Sequence, residues 1–210
     1  MLLPTTCPVC AAPGPAPCAG CAGDMRPAPA LPPPAGVESC AALLAYAGAG
    51  RELVARLKYR NARASVRFLA RGMADVVTEE VDVVTWAPTT PARLRARGFD
   101  QARLLARGVA RELGVPCRRL LRRRPGPAQT GRDAAARHAG PAFDGPRLLR
   151  GRRVLLVDDV VTTGATVTAA ARALRQAGAG EVHAVAAART PPSRRGIHSG
   201  MPVSRRPSWK

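Results

Sequence analysis

The sequence is poor in aromatic residues: two Trp, two Tyr and three Phe make up 3% of 210 positions. A core must therefore be assembled mainly from Ala, Val and Leu, and a surface that stacks bases on interleaved rings has few rings to use. Acids are scarce as well, 14 Asp and Glu against 33 Lys and Arg, for a net charge of +19. Lysine stands only at positions 58 and 210, so the positive charge is almost entirely arginine. A GC-rich coding bias accounts for Arg in place of Lys, but not for the shortage of acids. No apolar run approaches the roughly 20 residues that span a bilayer. The stretch MLLPTTCPVC has neither the basic flank nor the apolar region of a secretory signal. These absences predict a chain without a membrane span in a cytoplasmic, reducing setting.

What is present suits one substantial core with a small appendage. The charge is unevenly placed. Residues 1–40 carry Arg26 against Asp24 and Glu38, residues 41–150 carry 22 basic and 9 acidic side chains, and residues 151–210 carry 10 and 3. Such a balance favours polyanionic partners: nucleic acid, polyphosphate or a phosphorylated small molecule.

Cys7, Cys10, Cys18 and Cys21 form C-x2-C-x7-C-x2-C. Two such knuckles can present four thiolates to one tetrahedral Zn2+, and a segment this short has almost no core without metal. Disulfides are the alternative, which a reducing compartment disfavours. Four thiolates close the coordination shell, so the role expected is structural. Cys40 and Cys117 stand alone and read as small buried residues.

Residues 1–24 are thus a four-cysteine zinc knuckle, and 25–40, rich in Pro, a linker without a core of its own. AALLAYA at 41–47 reads as a short strand, with a helix as the alternative; 51–60 and 62–79 read as amphipathic helices. VDVVTWAP at 81–88 is β-branched and reads as a buried strand, and 99–113 as a helix with Asp100 near its start. Residues 115–123 are a candidate strand, 124–150 a long loop, 152–159 the clearest strand, 165–178 a helix and 181–188 the next strand. His183, in that strand, reads as a packing or surface histidine. Strands alternating with helices predict an α/β domain over 41–188, with a parallel sheet flanked by helices. Residues 189–210, with six basic residues and no acid, read as a disordered basic tail.

The most informative stretch is VLLVDDVVTTGATV, residues 154–167. In an open parallel sheet, ligands bind at the carboxyl ends of the strands, where Asp158 and Asp159 are placed. The small residues Val160, Val161, Thr162, Thr163, Gly164, Ala165 and Thr166 then lead into a helix. Such a turn aims backbone N–H groups at one point and suits a phosphate. Gly164 lets the backbone come close, and the threonines add hydroxyl donors. Carboxylates beside a phosphate cradle must face something other than phosphate. Ribose hydroxyls are strong partners for an ionised acid, so one stretch can grip ribose 5-phosphate at both ends. An ordinary βα turn with incidental acids is the bland alternative.

This stretch resembles the phosphoribosyl pyrophosphate (PRPP) motif of the type I phosphoribosyltransferases. Together with the CxxC pairs, LKYR at 57–60, RARGFDQARLLA at 95–106 and the Gln129, Arg137 and Phe143 segment, the chain resembles the ComF family, which includes ComFC-like and GntX-like competence-associated proteins. RGFDQA has Asp100 where that family usually has Asn, RHAGPAF has His138 for Asn, and Ala87-Pro88 follow Trp86 in place of the usual P-V-P opening.

The resemblance implies a type I phosphoribosyltransferase-like fold. It implies that Asp158 and Asp159 hold ribose hydroxyls at the catalytic centre, and that residues Val160 to Thr166 form the substrate loop, with the 5-phosphate on Thr162 to Thr166. Arg93, Arg95 and Arg97 would meet the pyrophosphate with Mg2+; their i, i+2, i+4 spacing puts them on one face if that loop is extended. A solvated basic surface is the alternative for each arginine. Lys58 and Arg60 are further candidate anion contacts, and Gln129 and Arg137 candidate hood residues. The reaction implied is displacement of pyrophosphate by a nitrogen nucleophile of unknown identity. Two other readings stay open: a sensor that binds PRPP or a nucleotide without turnover, and an accessory protein of DNA uptake that contacts single-stranded DNA or competence-machinery proteins through RRLLRRR at 118–124 and the zinc knuckle.

Overall fold

The computed structural model describes residues 6–57, 64–124, 141–145 and 148–191. Lys58, Arg60, Gln129, Arg137, His138 and the tail beyond residue 191 lie outside the described residues. A short helix α1 (Ala19–Gly23) is followed by β1 (Ser39–Ala45), α2 (Gly48–Arg56), α3 (Ser65–Asp75), β2 (Val83–Trp86), α4 (Pro91–Arg97), α5 (Gln101–Leu113), β3 (Arg122–Arg123), β4 (Phe143–Asp144), β5 (Arg153–Val161), α6 (Ala165–Gln176) and β6 (Glu181–Arg189).

Four strands form a parallel sheet in the order β1-β6-β5-β2. Cys117 extends its β2 edge by a parallel bridge to Val84. The bridge stays short because Pro116 has no N–H to donate: its carbonyl accepts from Val84 at 2.9 Å, and Arg118 donates back to the Val84 carbonyl at 2.9 Å. The strand expected over 115–123 is therefore this bridge plus the two residues of β3, which pair antiparallel with β4.

The sheet is buried on both faces, as its continuous apolar strands require. One face carries Leu43, Leu155, Val157 and Val185 against α2, α3 and α5, through Leu53, Leu69, Met73, Leu105 and Val109. The other carries Val154, Leu156, Val182, Ala184 and Ala186 against α6, through Val167, Ala170 and Leu174. With so few rings, close approach replaces bulk. A Cβ on Gly108 of α5 would lie 2.4 Å from the Ala70 Cβ of α3, so these helices meet backbone to methyl.

Most element boundaries shift by a few residues from expectation, and three differences have local reasons. α3 ends at Asp75, where β-branched Val76, Val77 and Thr78 follow. α5 begins one residue after Asp100, which caps it: Oδ1 accepts from the Arg103 N–H at 3.4 Å. Residues 91–97 are helical where an extended loop was expected. Thr90 caps that helix by accepting from the Arg93 N–H at 3.2 Å, Pro91 occupies its first turn and Gly98 closes it at φ 75°.

Residues 25–40, read as a linker without a core, are exposed over much of their length, yet the structure anchors them at several points and their last two residues begin β1. Met25 is buried in the first core cluster. Ala45 N–H donates to the Arg26 carbonyl at 2.8 Å and Ala28 N–H to the Leu43 carbonyl at 3.2 Å, so the chain runs antiparallel beside β1. Val37 is buried in the second cluster.

Candidate functional site

The carboxyl ends of β2, β5 and β6 define one edge of the sheet. β5 runs two residues past the acid pair, so Asp158 and Asp159 lie within the strand, and Val160 and Val161 are sheet residues paired with Ala188 and Arg189. The loop itself is therefore Thr162 to Gly164, with α6 starting at Ala165. Gly164 has φ 79° and is buried, whereas Thr162, Thr163 and Ala165 are exposed. Gly164 brings no capping side chain to α6, so the N–H groups of Thr166 and Val167 in the first turn get no partner from it. Thr163 Oγ1 accepts from the Ala165 N–H at 3.4 Å.

Asp158 is the one buried carboxylate among the described residues. Burial, then the charge of Asp159, pushes its carboxyl well above the ordinary range. Its Oδ1 accepts from the Asp159 N–H at 2.9 Å, and Asp159 Oδ1 accepts from the Val160 N–H at 2.8 Å. Neither acid has an ion pair among the described residues. Elsewhere Arg153 binds Glu80 at 2.7 Å and Asp82 at 3.0 Å, Arg124 binds Asp144 at 2.5 Å, Arg56 binds Glu52 at 3.4 Å and Arg175 pairs with Glu38. In a chain of +19, a buried acid without a cation beside it stands out.

The arginines expected at the pyrophosphate do not share one face. On a helix, Arg93 and Arg97 are one turn apart and Arg95 falls on the opposite side. Arg97 is half-buried and donates to Gln101 Oε1 at 3.2 Å; Arg93 and Arg95 are exposed. Asp100 ties the preceding loop down, accepting from the Thr89 N–H at 3.1 Å on Oδ2 while Oδ1 caps α5. Both its oxygens accept, which an amide in that position cannot match with its single carbonyl oxygen.

Sequence reasoning missed Arg123 as a member of this site. It is half-buried, lies over the Phe143 ring at 5.6 Å and donates to the Pro88 carbonyl at 3.4 Å. Burial and then the charge of Arg93 push its guanidinium below the ordinary value, partly offset by Asp158. Arg123 is thus within electrostatic reach of both Arg93 and Asp158. In RRLLRRR nothing marks which arginine turns inward; the position of Phe143 across the β3–β4 pair does. His183 lies at the other end of the sheet, buried between Ser39 Oγ and Glu181 Oε2 at 3.0 Å each.

The four N-terminal cysteines come together as the spacing predicts. Their sulfurs lie within 4.8 Å of one another, with Cys10 and Cys18 at 3.7 Å. Thiolates about 2.3 Å from one tetrahedral ion stand about 3.8 Å apart, so the donor set fits a metal. Burial opposes ionisation of Cys7, but the N–H groups of Cys18, Cys10 and Val9 outweigh it and hold the thiol at about 6. Cys40 and Cys117 are half-buried, and burial raises both thiols.

The parallel sheet flanked by helices, with an acid pair and an open threonine-glycine turn at its carboxyl edge, defines a fold of the phosphoribosyltransferase type. Residues 100–203, just under half of the chain, match the family model described as a phosphoribosyl transferase domain, in keeping with that fold. Among solved structures, an allosteric regulatory enzyme of purine biosynthesis is 25% identical over 64% of this chain, with a TM-score of 0.46. Glutamine phosphoribosylpyrophosphate amidotransferase from B. subtilis, complexed with ADP and GMP, is 25% identical over 64%, with a TM-score of 0.44. The chain spans 30% of the length of each. A purine phosphoribosyltransferase from Pyrococcus horikoshii Ot3 is 17% identical over 61% of this chain and 83% of that one, with a TM-score of 0.37. No curated protein matches. Among the described residues no helix is long and apolar enough to cross a membrane.

Proposed function

We propose that this chain is a ComF-type phosphoribosyltransferase that binds PRPP at the carboxyl edge of its sheet. The observation that supports this best is Asp158: buried, without a cation, and followed within six residues by an open turn at a helix N-terminus. The Thr162 to Thr166 turn takes the 5-phosphate on its N–H and hydroxyl groups. Asp158 and Asp159 accept from the ribose hydroxyls, beside the main-chain N–H groups that each already accepts from. Arg93, Arg97 and Arg123 face the pyrophosphate, which enters with Mg2+ that neutralises part of its charge. Arg95 takes no part in that contact. A nitrogen nucleophile forms the bond to C1 as the C1–O bond breaks, and the pyrophosphate leaves with that electron pair. The arginines favour the developing negative charge and the acids the cationic ring.

The domain plan that goes with this reading is a four-cysteine module over 1–24 and a phosphoribosyltransferase-like domain over 41–188, with residues 25–40 between them. Four soft thiolates select Zn2+ over hard cations, and a closed shell makes the ion structural.

Calorimetric titration of the zinc-loaded chain with Mg-PRPP tests the reading, beside Asp158→Asn/Asp159→Asn. Saturable binding that the double variant loses supports it; no binding to a folded wild-type chain overturns it.

A second reading, an accessory protein that grips single-stranded DNA, is favoured by one surface. Arg103, Arg107 and Arg111 recur every fourth residue on the exposed face of α5, with Arg118 nearby, and none has an ion pair among the described residues. Phosphate contacts there would weaken steeply with salt. Charge reversal at Arg107 that abolishes DNA binding while sparing Mg-PRPP would establish that separate surface.

A further inference from the structure

The stretch ALPPPA, residues 30–35, contains three consecutive prolines and so offers few N–H donors for a ladder of its own. It is nevertheless held across the carboxyl edge of the sheet. Upstream it is fixed by the pairing of residues 26–28 with β1. Downstream, Glu38 N–H donates to the Val182 carbonyl at 3.0 Å, and the Glu38 carboxylate accepts from the Val182 N–H at 2.8 Å and pairs with Arg175 of α6. Between these anchors one side chain grips it. Arg189, at the end of β6 and 7% exposed, donates from Nη1 to the Leu31 carbonyl at 3.2 Å and from Nη2 to the Pro32 carbonyl at 2.9 Å. Two residues on, Pro34 lies against the phosphate loop: a Cβ on Gly164 would stand 2.7 Å from Pro34 Cγ and 2.9 Å from Pro34 Cβ.

We propose that Arg189 is a positioning residue for the phosphate loop, acting through the strap of residues 29–36. The inference rests on the reading of Thr162 to Thr166 as a phosphate site and assigns what holds that site in shape. The strap covers Gly164 alone and leaves Thr162, Thr163 and Ala165 exposed, so it braces the loop from behind and does not plug it. A short turn with a left-handed glycine and no capping side chain has little of its own to fix its N–H groups in one direction. A rigid proline ring on its one buried residue supplies that constraint, and a loop already ordered binds anions without paying the ordering entropy. Arginine suits the latch because its fork reaches two successive carbonyls, which a lysine ammonium cannot match in geometry.

The test is hydrogen exchange on the full-length, zinc-loaded chain, reading the amides of residues 162–168, for wild type, Arg189→Met, Arg189→Lys and Pro34→Gly. Loop amides should exchange about tenfold faster in Arg189→Met and Pro34→Gly, with Arg189→Lys between these and wild type, while α3 amides remain as in wild type. Mg-PRPP binding should weaken by about tenfold in the same two variants. Wild-type exchange at 162–168 in both variants, or tighter PRPP binding in either, overturns the brace. If the wild-type chain fails to bind Mg-PRPP, the functional reading falls, and the exchange rates still decide whether Arg189 orders the loop.

Discussion

Pro34 and Gly164 are in such close contact that no side chain fits between them: a Cβ on the glycine would meet the proline ring at 2.7 Å. Gly164 also has φ 79°, a conformation that costs other residues roughly 1–3 kcal/mol. Gly164→Ala should therefore destabilise the fold by at least that amount, measured by urea unfolding. Adding Pro34→Gly should recover the steric part and leave the dihedral part. Strictly additive costs for the two substitutions would show that the contact is not what forbids a side chain at 164.

Asp158 gives a pH dependence with a definite sign. Its carboxyl is raised in the folded chain by burial and by Asp159. Below about pH 4, near the unfolded value, it is neutral in both states and costs nothing. Above that, the unfolded chain ionises it more readily, so stability contributed by this group is lost as pH rises toward the folded value. Asp158→Asn should therefore stabilise the chain at pH 7, by about 1–3 kcal/mol, with the gain vanishing near pH 3. Its amide oxygen can still accept from the Asp159 N–H. The same variant should lose Mg-PRPP binding. Equal stability at both pH values would place Asp158 in a more solvated environment than its burial indicates.

Much of this was legible from residue order. Apolar runs ending in acids, then a small-residue turn, then a helical period mark a βαβ unit and the carboxyl edge of its sheet without any structure. The CxxC pairs likewise announce their cluster. What was not legible depends on contacts between distant segments. Arg123 differs from its neighbours only because Phe143, twenty residues on, lies beneath it. Residues 26–34 look unstructured because proline has no periodic signature; their partners are main-chain groups of β1 and the side chain of Arg189, and main-chain acceptors leave no trace in sequence. The helix at 91–97 could have been found from Thr90-Pro91 at its start and Gly98 at its end.

The four-cysteine module and the strap should respond differently to loss of metal. The module has four sulfurs and a five-residue helix with no buried residue, so a chelator should unfold it. Residues 26–28 are held by hydrogen bonds to β1, independently of the metal. After chelation, exchange should rise over residues 7–23 and stay slow at Ala28. One Zn2+ per chain is expected by metal analysis, with Cys18→Ser weakening its retention. Concerted loss of protection through Ala28 would mean that the metal, and not β1, anchors the strap.

The three arginines of α4 should separate cleanly in a binding experiment, because a seven-residue helix sorts them by face. Arg93 and Arg97 lie one turn apart, and Arg93 is within electrostatic reach of Arg123. Arg95 projects from the other side. A lost charge-assisted contact is worth roughly 1.5–3 kcal/mol, about 10- to 100-fold in affinity. Arg93→Ala should therefore weaken Mg-PRPP by about that factor. Arg95→Ala should leave it unchanged. Arg97→Ala should weaken it and also free Gln101, to which Arg97 donates at 3.2 Å; Arg97→Lys restores charge without the fork and should recover only part. None of these should alter binding of ribose 5-phosphate, which lacks the pyrophosphate. A loss of ribose 5-phosphate affinity equal to that for PRPP would move these arginines to the 5-phosphate end, and a loss at Arg95 matching Arg93 would mean the helix unwinds when the ligand binds.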